Sequence, residues 1–268
     1  MEALAQIDAW PVEHAAAGVV SGAATWSHGE AGRKFAWASV TKLLTAMAAL
    51  VAAEEGVLDL DEPAGPPGST VRHLLAHASG LPFDGPRAIS TPGKRRIYSN
   101  TGIEVLAAFL AEKAEMPFGD YLSAAVLQPL GLRGTALEGS AAAGLVGPLT
   151  DLLAFGRELM APTLVAPETL QEATTVAFPG LDGILPDFGR YEPLDWGLGF
   201  EIRDAKVPHW TGTSNSPRTF GHFGGAGSFM WVDPEADAAC AALADRQFGQ
   251  WAKEAWPLLS DAVLAELR

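Results

Sequence analysis

A single cysteine, Cys240, occurs in the 268 residues, so no intramolecular disulfide can form and no thiolate cluster can hold a metal. Its setting, Asp237-Ala-Ala-Cys240-Ala-Ala-Leu, is that of a buried apolar strand, which makes it a packed, inert thiol rather than a nucleophile. Cations are also scarce: 18 Lys and Arg stand against 32 Asp and Glu, a formal charge of −14. That balance argues against nucleic acid as a partner, because phosphates require Lys and Arg, and it disfavours an anionic membrane surface. No apolar run is long enough to span a bilayer; the longest, Leu43 to Ala53, is interrupted by Thr45. The first residues, Met1-Glu-Ala-Leu-Ala-Gln-Ile-Asp8, show neither the basic nor the apolar region of a secretory leader, so the expected location is cytoplasmic. Low-complexity tracts and repeats of solenoid or propeller period are missing as well.

What is present suits an enzyme-sized globular protein. Hydrophobic residues make up 48% of the chain, enough for a sizeable core without disulfides or metals. Short strand-like runs, Gly18–Val20 and Ala23–Trp26, follow a short helix at residues 4–10 and carry hairpin punctuation. Lys42 to Glu55 is apolar on nearly every face and stops at Gly56, the pattern of a buried helix. Helical periodicity returns at 71–78, 101–112, 118–126, 151–160 and 167–173, whereas 174–195 reads as loop. Strand candidates then cluster at 196–202, 220–222, 228–232 and 238–244, before a final helix at 250–267. Strands at both ends and helices between them imply a single sheet with an inserted helical lobe, since an isolated hairpin is marginal in water.

Three short motifs carry chemistry. In Ser39-Val-Thr-Lys42 the two functional side chains share a helix face. A serine hydroxyl needs a base within reach, and lysine can serve if burial and the helix dipole lower its pKa. The same helix start offers the Ser39 N–H to a developing oxyanion. Taken alone, such a motif also reads as an N-cap followed by a surface lysine. Tyr98-Ser-Asn100 supplies a phenol that, beside the ammonium, is expected to have a depressed pKa and to shuttle protons. Asn100 is expected to orient Lys42 or a substrate amide, the plainer alternative being an N-cap. Phe220-Gly-His222-Phe-Gly224-Gly225-Ala-Gly is a glycine-rich strand, a place where something approaches the backbone closely, with the Gly225 N–H as a second oxyanion donor. His73 and His77 have an i, i+4 metal spacing, but no third ligand is evident and no metal is expected.

In that order, Ser-x-x-Lys, Tyr-x-Asn and His-x-Gly resemble the class C β-lactamases and penicillin-binding proteins, a family that includes D-alanyl-D-alanine carboxypeptidases and family VIII esterases. Val71-Arg-His-Leu-Leu-Ala-His-Ala-Ser-Gly-Leu-Pro82 and Gln128-Pro-Leu-Gly-Leu132 are similar to stretches typical of that family. The resemblance implies an α/β (α+β) fold of β-lactamase/transpeptidase type: an antiparallel sheet from residues 1–55 and 193–268, flanked by helices, with 56–192 as the helical lobe. It implies acyl-enzyme chemistry at Ser39, proton transfer by Lys42 and Tyr98, and no cofactor.

The third motif departs from the family's usual Lys-Thr-Gly. His222 replaces a fixed cation and Phe223 removes a hydroxyl, both of which suit a substrate carboxylate. The expected substrate is therefore a small neutral ester or amide, with Arg218 as a partial replacement for the missing charge and Gly224 in the substrate-binding strand. A β-lactam or peptide C-terminus is the alternative within the same chemistry. A catalytically silent binding protein is the alternative outside it. Nothing in the sequence specifies an oligomeric state.

Overall fold

An alternation of period two organises the centre of the molecule. In the computed structural model, which describes residues 1–268, the strand Ala238–Ala244 is buried along its whole length. Ala238, Cys240, Ala242 and Ala244 enter one core, while Ala239, Ala241 and Leu243 enter another on the opposite face. A strand covered on both sides has no polar face, which is why it reads as a continuous apolar run.

The strands, in chain order, are β1 (Ala15–Ser21), β2 (Ala24–Gly29), β3 (Lys34–Ala36), β4 (Arg96–Ile97), β5 (Ala136–Leu137), β6 (Leu145–Pro148), β7 (Gly183–Leu185), β8 (Gly189–Tyr191), β9 (Glu201–Ile202), β10 (Phe220–Gly224), β11 (Ser228–Asp233) and β12 (Ala238–Ala244). The main sheet is antiparallel throughout, with order β2-β1-β12-β11-β10-β9. The N-terminal hairpin thus docks on the C-terminal strands, with Val19 opposite Cys240 and Val20 opposite Ala239. This is the antiparallel, helix-flanked α/β sheet expected for the fold class.

The helices are α1 (Thr41–Glu54), α2 (Val71–Leu75), α3 (Asn100–Lys113), α4 (Phe118–Leu122), α5 (Leu149–Met160), α6 (Pro167–Ala173) and α7 (Gln250–Leu267). Trp256, Leu259, Val263 and Leu264 of α7 cover one face of the sheet together with the 3-10 helix Glu2–Ala9. On the other face, α5 buries Leu149, Leu152, Leu153 and Phe155 in the core shared with α1. Gly156 lets α5 sit close: a Cβ there would lie 2.8 Å from Met230 Cε. Although its residues fall between 56 and 192, α5 therefore packs on the sheet.

Several boundaries differ from the sequence reading. Residues 174–195 are not simply loop, because β7 and β8 form a hairpin that pairs in parallel with β4. Only Glu201–Ile202 of the expected 196–202 strand is paired as a strand. The helix expected to reach residue 78 stops at Leu75, and His77 takes a left-handed φ of 54°. No helix is long and apolar enough to cross a membrane.

Candidate active site

Ser39 lies in a 3-10 turn, Ala38–Val40, that runs directly into α1. Two bonds fix the segment before it: Trp37 N donates to Leu145 O at 2.8 Å, and Ser228 Oγ donates to Trp37 O at 2.7 Å. Ala38 has a φ of 44°, a left-handed conformation that costs a non-glycine residue on the order of 1 kcal/mol and turns the chain sharply into the helix. Gly224 at the end of β10 faces this turn. A Cβ at Gly224 would lie 2.4 Å from Trp37 O and 3.1 Å from Ala38 Cβ, so only glycine lets the strand come so near. Gly225 follows, exposed, its carbonyl bonded by Phe248 N at 2.9 Å while its own N–H has no backbone partner.

Lys42 is fully buried in the first turn of α1. Its Nζ lies 3.1 Å from Ser39 Oγ, 2.7 Å from Asn100 Oδ1 and 2.8 Å from Ala142 O. Burial pulls its pKa down to about 7, against the opposing pull of Glu104 and Asp84. A neutral amine has two N–H bonds and one lone pair. The Asn100 and Ala142 oxygens accept the two N–H groups, and the remaining direction faces the Ser39 hydroxyl.

Asn100 is not the N-cap of its helix. Ser99 takes that role, accepting from Gly102 N at 2.8 Å, and so leaves the Asn100 amide free for the lysine. One turn further along α3, Glu104 Oε1 accepts from Ala142 N at 3.1 Å and from Ser140 Oγ. Sequence reasoning missed both Glu104 and the 140–142 segment. The available signal was the i, i+4 spacing of Asn100 and Glu104 on one helix face. Thr45 Oγ1 donates to Ala141 O at 2.6 Å and Thr41 Oγ1 accepts from Leu145 N at 3.0 Å, tying the same segment to α1.

Tyr98 is buried, with its ring centroid 4.9 Å from Lys42 Nζ. Its pKa is raised, not depressed as its proximity to a lysine had led us to expect. Desolvation dominates, the Ser39 hydroxyl opposes it only partly, and the Glu201 carboxylate adds to the rise. Tyr98 is therefore a neutral phenol over the physiological range. Around it stand His77 at 4.8 Å, His222 at 5.5 Å and Trp196 at 5.8 Å between ring centroids. His222 is also neutral, its pKa pushed down to about 3 by burial and by Lys42. Its Nδ1 is 2.5 Å from Phe223 O and donates to it, which leaves the buried Nε2 lone pair without a protein partner. His77 Nδ1 accepts from Ser99 N at 3.2 Å, so its Nε2 carries the hydrogen, and it too is unpartnered. The sequence marks His77 only through its i, i+4 spacing from His73, not as a neighbour of Tyr98, and Trp196 carries no motif.

Ser39, Lys42, Tyr98, Asn100, His222, Gly224 and Gly225 are thus brought to one place. Arg218 is not. It sits exposed in the turn before β10, and no hydrogen bond or ion pair joins it to the others.

This constellation, a serine and a desolvated lysine at the start of a helix beside a sheet edge, defines a class of serine hydrolases. The chain belongs to the Beta-lactamase family, whose family model matches residues 3–264. It is 54% identical to a β-lactamase from Mycobacterium bovis of known structure, over 99% of each chain, with a TM-score of 0.98. EstCE1, a hydrolase with promiscuous acyltransferase activity, shares the fold at a TM-score of 0.81 and 19% identity, over 98% of this chain and 96% of that one. Penicillin-binding protein 4* of Bacillus subtilis (strain 168) is 27% identical over 188 residues, 57% of this chain and 41% of the relative's own length.

Proposed function

We propose that the protein hydrolyses a neutral ester or amide through an acyl-Ser39 intermediate. The observation that carries this reading is Lys42 Nζ, buried, 3.1 Å from Ser39 Oγ and poised near pH 7. In the neutral form its lone pair takes the Ser39 proton as Oγ attacks the substrate carbonyl. The N–H groups of Ser39 and Gly225 receive the oxyanion. On collapse, the proton passes from Lys42 through the Tyr98 phenol to the departing oxygen or nitrogen. Water then attacks the acyl carbon, gives a proton back through the same pair, and Ser39 Oγ leaves as the hydroxyl. A phenol with a raised pKa suits relay better than general-base work, which falls to Lys42.

The electrostatics support a substrate without a carboxylate. His222 is uncharged throughout the working range, and Arg218 makes no ion pair or hydrogen bond with the site. A β-lactam or a peptide C-terminus would bring an anion that no fixed cation at the third motif receives.

Exposure to a fluorophosphonate, followed by intact-protein mass spectrometry, tests the acyl-enzyme reading. Wild type is expected to gain one adduct and Ser39→Ala none. An unmodified wild type would move the silent binding protein to the front. Steady turnover of nitrocefin exceeding that of p-nitrophenyl esters would overturn the neutral-substrate part while leaving the nucleophile in place.

A further inference from the structure

Tyr98 forms a wall of a second space. Its ring lines a cleft of about 750 Å³, large enough for a drug-sized group. Its mouth gathers three of the six large hydrophobic side chains that the molecule exposes: Phe83, 49% exposed, Ile89, 69%, and Ile184, 64%. Ile97 and Pro186 add to the apolar lining. Apolar side chains are individually common on surfaces, but three lining one cleft that also reaches Tyr98 form a contiguous binding surface.

The backbone holds these walls in place. β4 leads directly into Tyr98 and pairs with β7, which sets Ile184 opposite Ile97. Phe83 O accepts from Asn100 N at 2.9 Å, so the Phe83 segment is clamped to the start of α3. Ile89 N donates to Gly80 O at 2.9 Å and closes the loop between them.

The charges at the cleft are already matched. Arg190 pairs with Asp182 at 3.0 Å and with Glu192 at 2.7 Å, and Arg95 approaches the same Asp182 at 3.9 Å. The guanidinium of Arg96 is spent on backbone carbonyls of residues 76, 177, 178 and 194. Arg95 alone makes no hydrogen bond, and the negative charge of Asp187 in the same lining offsets it.

Position decides which half of a substrate enters. The group that donates a proton to the leaving atom must stand beside that atom, and the proton donor proposed above is Tyr98. We propose that this cleft receives the leaving group, and that this group is a bulky, uncharged, apolar alcohol or amine. The inference rests on the acyl-Ser39 reading and adds to it the chemical class of the departing half. The bond broken joins the acyl carbon to the alcohol oxygen, which leaves with the proton relayed by Tyr98. The acyl half stays on Ser39 and is released to water.

Butyrate esters of methanol, hexanol and 2-naphthylmethanol test this, because all three form the same butyryl-enzyme and the alcohols differ little in acidity. In wild type, kcat/KM is expected to rise from methyl to naphthylmethyl by at least about tenfold, as burial of a few carbons in an apolar pocket gives. The decay rate of the butyryl-enzyme, followed by mass spectrometry, is expected to be the same for all three. Ile184→Asp is expected to collapse the naphthylmethyl-to-methyl ratio, Ile89→Asp to do the same should the hairpin variant not fold, and Val207→Asp, an exposed site outside the cleft, to preserve it. A flat leaving-group series, or a ratio undiminished in the cleft variants, overturns the assignment. So does a preference that follows the length of the acyl chain at constant methanol. Failure of Ser39 to take a phosphonate in the same preparations would instead overturn the acyl-enzyme reading itself, and the leaving-group assignment with it.

Discussion

At the scale of single residues, the site depends on where charge is withheld. Lys42 is the only amine bonded to Ser39, and burial lowers its pKa to about 7, close to working pH. Below that pH the lone pair is protonated and cannot take the serine proton; above it the base is free. The acid limb of kcat/KM is therefore expected to bend near pH 7 and to fall about tenfold per unit below it. Glu104 and Asp84 both favour the ammonium, so Glu104→Gln removes a pull towards the charged form and is expected to move the bend to lower pH. A bend that stays put, or moves up, would show that Lys42 is not the titrating base. The Ser39–Lys42 pair was legible because its spacing carries geometric meaning. The direction of the Tyr98 shift was not legible, because a sequence shows the neighbouring lysine but not the depth of burial, and burial won.

At the scale of elements, some segments advertise themselves and others do not. α1 was legible from an apolar run ended by glycine, and β12 from a short continuous apolar run. The β7–β8 hairpin was not: its three-residue strands fall below the length at which alternation can be read, and it is held by pairing with β4, far away in sequence. The element that organises this region is Arg96, buried on β4 and still charged, its pKa lowered only to about 10. Its guanidinium donates to Leu194 O at 3.0 Å, to Ala76 O and Ala177 O at 2.6 Å each, and to Phe178 O at 3.3 Å. It therefore joins the segment after α2, the loop before β7 and the loop after β8. Arg96→Met leaves several buried carbonyls unpaired and is expected to cost about 2–4 kcal/mol of stability in denaturant titration. A loss under about 1 kcal/mol would show that these carbonyls find other partners.

At the scale of the whole molecule, two cores share one sheet. Cys240 lies in the central strand, wholly buried, its thiol pKa raised by burial. With no second thiol to confuse the signal, its modification reports global opening. In native buffer a thiol reagent is expected to leave it untouched, and in denaturant its labelling is expected to track loss of the sheet. Rapid stoichiometric labelling under native conditions would mean that the central strands open locally. The overall architecture followed from strands at the two ends of the chain and helices between them. The placement of α5 on the sheet did not, because an amphipathic helix does not say which apolar surface it covers.

The pairing of β1 with β12 also has a consequence in time. Ser21 lies opposite Ala238, so β1 leaves the ribosome more than two hundred residues before its neighbour exists. At roughly 5–20 residues per second, that interval lasts on the order of 10 to 40 s. Through it the nascent hairpin presents an apolar, unpaired edge, the kind of surface that invites aggregation or a chaperone. The nucleophile is made early, but the strand that ends in Gly225 and the partner that steadies β1 come last. A polypeptide halted before β10 thus carries Ser39 and Lys42 without the strand that faces them.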